Sequence, residues 1–221
     1  MLKAVLLDIG GPINDETVQE EQFDDAVLTA ARKIRDVSAE EYVDVCRRAV
    51  ESFAPRAYRF IMWELAERDR EQYAAIRDHV QQSGFEHFCM RAEVPGLLKQ
   101  LSQTYKLGIA ANSGAAMLDR LAEAGLLEHF SSRKPGAVVG MDKPDPRYFE
   151  HLMNDLNARP EETAMVGDRI DCDMVPARML GIKAVLYRVG RHAGQQPRSS
   201  DEVPDAEIQS MNELPEVFLS W

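Results

Sequence analysis

Long apolar runs, paired cysteines and a surplus of basic charge are all missing from this chain of 221 residues. No stretch nears the ~18 apolar residues that a membrane helix needs, so a spanning helix is not expected. The opening Met1-Leu2-Lys3-Ala4-Val5-Leu6-Leu7-Asp8 is too short and too soon interrupted for a signal peptide. Cys46, Cys89 and Cys172 stand apart with no Cys-x-x-Cys pair, which points to a reducing, cytoplasmic setting and not to a disulfide framework. The histidines His79, His87, His129, His151 and His192 lack metal-ligand spacing, so zinc chemistry is not expected. Lysine and arginine number 26 against 37 acids, a net charge of −11 that leaves nucleic acid no basic face to bind. What is present is an ordinary globular balance, 45% apolar and 29% charged. The length allows one domain with another inserted, and a core large enough to need no staple.

Several short apolar runs stop abruptly at polar residues. Ala4–Leu7 meets Asp8, with Gly10-Gly11-Pro12 beyond. Leu107-Gly108-Ile109-Ala110-Ala111 meets Asn112-Ser113-Gly114, and Ala164-Met165-Val166 meets Gly167-Asp168. None alternates, which is the pattern of strands buried on both faces of a helix-covered parallel sheet. Ala184–Tyr187 reads as another strand, with a short one near Ala206-Glu207-Ile208. The alternation of strand and helix from residue 95 onward predicts an α/β fold.

Residues 17–92 contain no strand-like run and are helical in period. Ser38 with Glu41 three residues later is a capping-box signature, Pro55 suits a first helical turn, and Asp69 is placed to cap a later helix. About four helices inserted after the first strand predict a separate helical module, with residues 1–16 and 93–221 forming the core. Residues 190–205, rich in Gly, Pro, Ser and Gln, read as a long surface loop. Ten arginines and one lysine, Lys33, fall between Thr17 and Arg91 among fifteen acids, the composition of a paired, solvated surface. Arg56, Arg59 and Trp63 share one helical stripe.

In an open parallel sheet, ligands bind beyond the carboxyl ends of the strands. Asp8, Asn112 and Asp168 each stand at such an end. Singly, each reads as a turn or cap residue; together they predict one site.

These segments resemble the motifs of the haloacid dehalogenase-like hydrolase superfamily, whose members are mostly magnesium-dependent phosphatases. The motifs are Asp8-Ile9-Gly10-Gly11-Pro12-Ile13-Asn14-Asp15, Gly108–Ser113, Gly140–Phe149 around Lys143-Pro144, and Val166–Asp173 in a Gly-Asp-x-x-x-x-Asp pattern. The resemblance implies a Rossmann-like core with a helical cap at 17–92. It also implies Asp8 as the nucleophile that forms an aspartyl-phosphate. Mg²⁺ would be held by Asp8, Asp168 and the carbonyl of Gly10, with Asp173 as a ligand or an orienting carboxylate behind them. Lys143 would neutralise the phosphoryl group, and Asn112 and Ser113 would bind it. The implied substrate is a small phosphorylated metabolite.

Two positions depart from the family pattern. The second Asp, two residues after the nucleophile, is replaced by Gly10, and the motif's hydroxyl residue is replaced by Ala111, with Ser113 one place past Asn112. These losses open an alternative, a non-catalytic or regulatory binding protein that keeps the fold. A 2-haloacid dehalogenase is a weaker alternative, since that group carries a Tyr where Gly10 stands. Phosphonate cleavage would need a cap lysine, and only Lys33 is there to serve.

Overall fold

The apolar runs become the middle of a six-stranded parallel sheet, because strands covered on both faces have no side to give to water. The computed structural model describes residues 1–85 and 88–221; His87 lies outside the described residues. The strands are β1 (Ala4–Leu7), β2 (Lys106–Ile109), β3 (Phe130–Ser132), β4 (Thr163–Gly167), β5 (Lys183–Tyr187) and β6 (Ala206–Ile208), in spatial order β3-β2-β1-β4-β5-β6. All four residues of β1 are buried, and Leu7 is in register with Ile109 on one side and Val166 on the other. The ends of β1, β2 and β4 are therefore level, and the residues just past them gather at one edge.

Two compact units result, Met1–Asp15 with Phe88–Trp221, and Glu16–His87. In the first, the sheet is accompanied by α5 (Val94–Leu101), α6 (Ala115–Glu123), α7 (Gly136–Val139), α8 (Pro146–Leu156), α9 (Val175–Leu180) and α10 (Leu214–Leu219). Val94-Pro95-Gly96 opens α5, where proline suits the first turn. On α8, Tyr148 and Phe149 are fully buried, and the Tyr148 hydroxyl donates to the Lys134 carbonyl at 2.9 Å, which satisfies the one polar atom it takes inside.

The second unit holds α1 (Thr17–Arg32), α2 (Ala39–Glu51), α3 (Ala57–Leu65) and α4 (Arg70–Ser83) around Val27, Ile61 and Ile76. Its arginines pair as the composition suggests. Glu64 takes both Arg48 at 2.8 Å and Arg68 at 2.9 Å, and Arg35 holds Glu41 at 2.5 Å. Trp63 packs edge-on against Tyr73, 5.7 Å between centroids, while Arg56 and Arg59 on the same stripe are exposed. Asp69 caps α4 by accepting the Glu71 and Gln72 amides. Pro55 stands two residues before α3, because Arg56 is still non-helical at φ −134°. Ser38 caps α2 by accepting the Glu41 amide at 3.0 Å. Ser38→Ala will therefore cost about 1 kcal/mol, read as a lower urea midpoint at unchanged slope. Among the described residues, no helix is long and apolar enough to cross a membrane.

Candidate active site

β1 is the strand at which the connections change direction, with β2 on one side and β4 on the other. Its carboxyl end is the switch point where an open α/β sheet forms its crevice. Asp8 leaves β1 there, its amide still bonded to the Val166 carbonyl of β4 at 2.9 Å. The Ile9 amide donates to Asp8 Oδ1 at 2.7 Å, which fixes the carboxylate against its own turn. That turn is held from outside: Arg91 Nε donates to the Gly11 carbonyl at 2.6 Å, and its guanidinium pairs with Asp15 at 3.2 Å.

Asp168 comes directly after β4, and Asp173 lies within the π-helical turn Ile170–Met174, an irregular element often found at functional sites. One ligand oxygen from each of Asp8, Asp168 and Asp173 lies within 4.8 Å of the others. Two glycines make this approach possible. A Cβ on Gly167 would collide with the Asp173 carboxylate, and one on Gly11, already left-handed at φ 79°, would press on Asp168 at 3.0 Å.

Lys143 completes the cluster. Its Nζ lies 2.8 Å from Asp8 Oδ2 and 2.6 Å from Asp173 Oδ1, with the side chain 3% exposed. Burial alone would lower the lysine, but the Asp173 and Asp8 charges outweigh it and hold the ammonium above its ordinary range. For Asp173, burial raises the carboxyl, Lys143 lowers it, and the Asp8 charge raises it again; the balance lies above the usual aspartate value. Both Asp173 oxygens accept protein hydrogen bonds, Oδ1 from Lys143 and Oδ2 from the Arg169 amide at 3.1 Å.

The segment carrying Lys143 is fixed at both sides. Asp145 caps α8 by accepting the Arg147 amide at 3.0 Å, with Pro146 in the first turn. On the other side, the Asn112 carboxamide grips the Lys143 main chain, donating to its carbonyl at 2.8 Å and accepting its amide at 2.7 Å. Asn112 thus meets the cluster through Lys143. Ser113 Oγ is buried and has no hydrogen-bond partner among the described residues. Gly10 is half-buried, two residues beyond Asp8.

Cys172 is buried beside Asp171, and its thiol is pushed well up, first by burial and further by neighbouring carboxylates. It is no nucleophile at neutral pH. Gln195, inside the stretch whose composition predicts a surface loop, is instead fully buried behind the π-turn, to which it hydrogen-bonds.

Comparison with known proteins agrees with this geometry. The family model described as haloacid dehalogenase-like hydrolase matches residues 2–181. A glyceraldehyde 3-phosphate phosphatase from Methanopyrus kandleri is 29% identical over 98% of this chain and 97% of its own. A phosphoserine phosphatase from Thermus thermophilus is 39% identical over 46% of this chain and 38% of its own. A solved haloacid dehalogenase-like phosphatase structure from Thermococcus onnurineus shares the fold, with a TM-score of 0.62, 24% identity and 98% of each chain covered. With 180 residues of family match laid over this sheet and these strand ends, the chain belongs to the haloacid dehalogenase-like hydrolase family, as a member of its phosphatase type.

Proposed function

We propose that this chain is a Mg²⁺-dependent phosphatase that acts on a small phosphorylated metabolite through an aspartyl-phosphate on Asp8. The observation that carries the reading is the cluster at the switch point, three carboxylates drawn together with the buried Lys143 ammonium against two of them. Carboxylates this close repel one another, and a cation between them relieves that repulsion. The donors are hard oxygens, which suit Mg²⁺.

Asp8 and Asp168, with the Gly10 carbonyl, are the residues that would hold the ion. Asp173, whose oxygens already serve Lys143 and the Arg169 amide, orients the set from behind. Bound Mg²⁺ supplies charge neutralisation at the phosphoryl oxygens. Asp8 attacks phosphorus as an ionised carboxylate, a bond forms between its oxygen and phosphorus, and the bond to the leaving oxygen breaks. Water then cleaves the acyl phosphate and regenerates Asp8. Lys143, held as an ammonium, offsets the phosphoryl charge in both steps. Asn112 acts by fixing the Lys143 main chain, and the unpartnered hydroxyl of Ser113 supplies the donor that Ala111 lacks. The unit Glu16–His87 is proposed as the family's cap module. The names of the relatives, a glyceraldehyde 3-phosphate phosphatase and a phosphoserine phosphatase, support a small phosphomonoester as substrate.

The test joins phosphate release over a panel of phosphorylated metabolites with thermal melting. Mg²⁺ at about 100 times its dissociation constant stabilises by about 2.7 kcal/mol, roughly 5–11 °C for a chain of this size. Asp168→Ala will remove most of that gain. Release that persists in chelator, or a melting temperature indifferent to millimolar Mg²⁺, would overturn the reading.

A further inference from the structure

Composition reads residues 190–205 as a surface loop, yet Gln195 within it is 0% exposed. A buried carboxamide must place both its ends. Here Oε1 accepts the Ile170 amide at 2.7 Å, and Nε2 donates to Asp171 Oδ1 at 3.0 Å. Both partners lie in the turn that carries Asp173, two and three residues past Asp168.

The glutamine is itself held from behind. Its amide donates to the His192 carbonyl at 2.9 Å. Arg188 donates to the carbonyl of Gln195 and, at 3.2 Å, to that of Ala193, while pairing with Glu207 at 2.7 Å. The loop is thereby stitched to the end of β5 and to β6.

The consequence falls on two acids. Asp171 and Asp173 are separated by one residue, yet of the two it is Asp173 that joins Asp8 and Asp168 in the carboxylate cluster. Asp171 Oδ1 takes Arg169 Nε at 3.1 Å as well as Gln195, and its Oδ2 takes Arg169 Nη2 at 2.6 Å and the Cys172 thiol at 3.4 Å. Its carboxylate is therefore committed. The consecutive amides of Arg169 and Ile170 go to different anchors, the first to Asp173 and the second to Gln195.

We infer that Gln195 is a positioning residue for the cation site: it pins the Ile170–Met174 turn and keeps Asp171 out of the ligand set, so that Asp168 and Asp173 face Asp8. The inference rests on the Mg²⁺ reading of the cluster. Losing a partner that orients metal ligands costs about 10–100-fold in metal affinity.

The experiment is calorimetric titration of Mg²⁺ into wild type, Gln195→Met and Gln195→Glu, with melting in chelator and phosphate release at saturating Mg²⁺. Gln195→Met fills the volume and removes both bonds; its Mg²⁺ dissociation constant rises about 10–100-fold, and its loss of phosphate release is deeper below saturation than at saturating Mg²⁺. Gln195→Glu keeps the acceptor for Ile170 but sets a carboxylate against Asp171, and it weakens Mg²⁺ in the same direction. If Gln195→Met fails to fold, Gln195→Glu carries the test. Variants that melt lower in chelator yet bind Mg²⁺ as wild type does would show a merely structural glutamine and overturn the inference. A wild type that binds no Mg²⁺ would instead remove the reading on which it stands.

Discussion

Asp8→Asn will stop turnover while leaving the metal-free protein as stable as the wild type or more so. The loss expected for removing a covalent nucleophile is on the order of 10⁴-fold or more, because a carboxamide oxygen is a poor nucleophile toward phosphorus. The stability effect has the opposite sign for an electrostatic reason. Asp8, Asp168 and Asp173 lie within 4.8 Å of one another, with the Lys143 ammonium against Asp8 and Asp173. Removing the Asp8 charge removes its repulsion of the other two carboxylates, and Lys143 keeps Asp173 as its partner at 2.6 Å. The carboxyl of Asp173, raised in part by the Asp8 charge, becomes easier to ionise. Mg²⁺ should then stabilise the variant less than the wild type, since a ligand charge is gone. Single-turnover phosphate release and melting in chelator check both halves. Surviving turnover would place the nucleophile elsewhere. A metal-free variant melting several degrees lower would make Asp8 a structural partner of Lys143.

The opposite signs arise from how the fold assembles the site, and that assembly is legible in the sequence to different depths. β1, β2, β4 and β5 show as unbroken apolar runs because both of their faces are covered. β3, only Phe130–Ser132, does not: it is an edge strand of three residues, pairs only with β2, and offers one aromatic and then two serines. Boundaries move for a similar reason. Ala110 and Ala111 prolong the apolar run, but the ladder to β1 ends at the pair Leu7 and Ile109. Caps at Ser38 and Asp69 are visible because capping is chemistry within one turn.

The candidate site divides in the same way. Asp8, Asn112 and Asp168 advertise themselves by standing after strands, and Lys143 by the prolines nearby at 144 and 146. What they touch is not written locally. Asn112 reads as a phosphate contact, yet its carboxamide is spent on the Lys143 main chain. Gln195 sits in a polar stretch whose composition suggests water on all sides, and nothing in its neighbours marks it as fully buried. Such contacts join residues more than twenty positions apart, and periodicity carries no signal over that span.

Gly10→Asp will raise turnover on alkyl phosphates by about 10²–10⁴-fold, the usual worth of a positioned general acid, and will change aryl phosphates far less. In the wild type, the position two residues past the nucleophile has no side chain to give a proton to a departing alkoxide. Asp15, the next acid along the segment, is held by Arg91 at 3.2 Å. An alkoxide is a poor leaving group unless protonated, whereas a phenolate of low pKa departs unaided. Wild-type rates should therefore fall steeply as the leaving-group pKa rises. The aspartyl-phosphate should also persist, because the same missing carboxylate would have served as base toward water. The backbone permits the substitution: the left-handed glycine of this turn is Gly11, at φ 79°, and Gly10 is not in that region. Asp at Gly11 would instead press on Asp168, so Gly11→Asp serves as the control that adds the same charge at the wrong place. A further carboxylate increases the demand for a cation, so the rates are compared at saturating Mg²⁺. Aryl and alkyl phosphates hydrolysed equally well by the wild type would show that another group delivers the proton. Gly10→Asp would then gain nothing, and the dependence on leaving group would stay flat in both proteins.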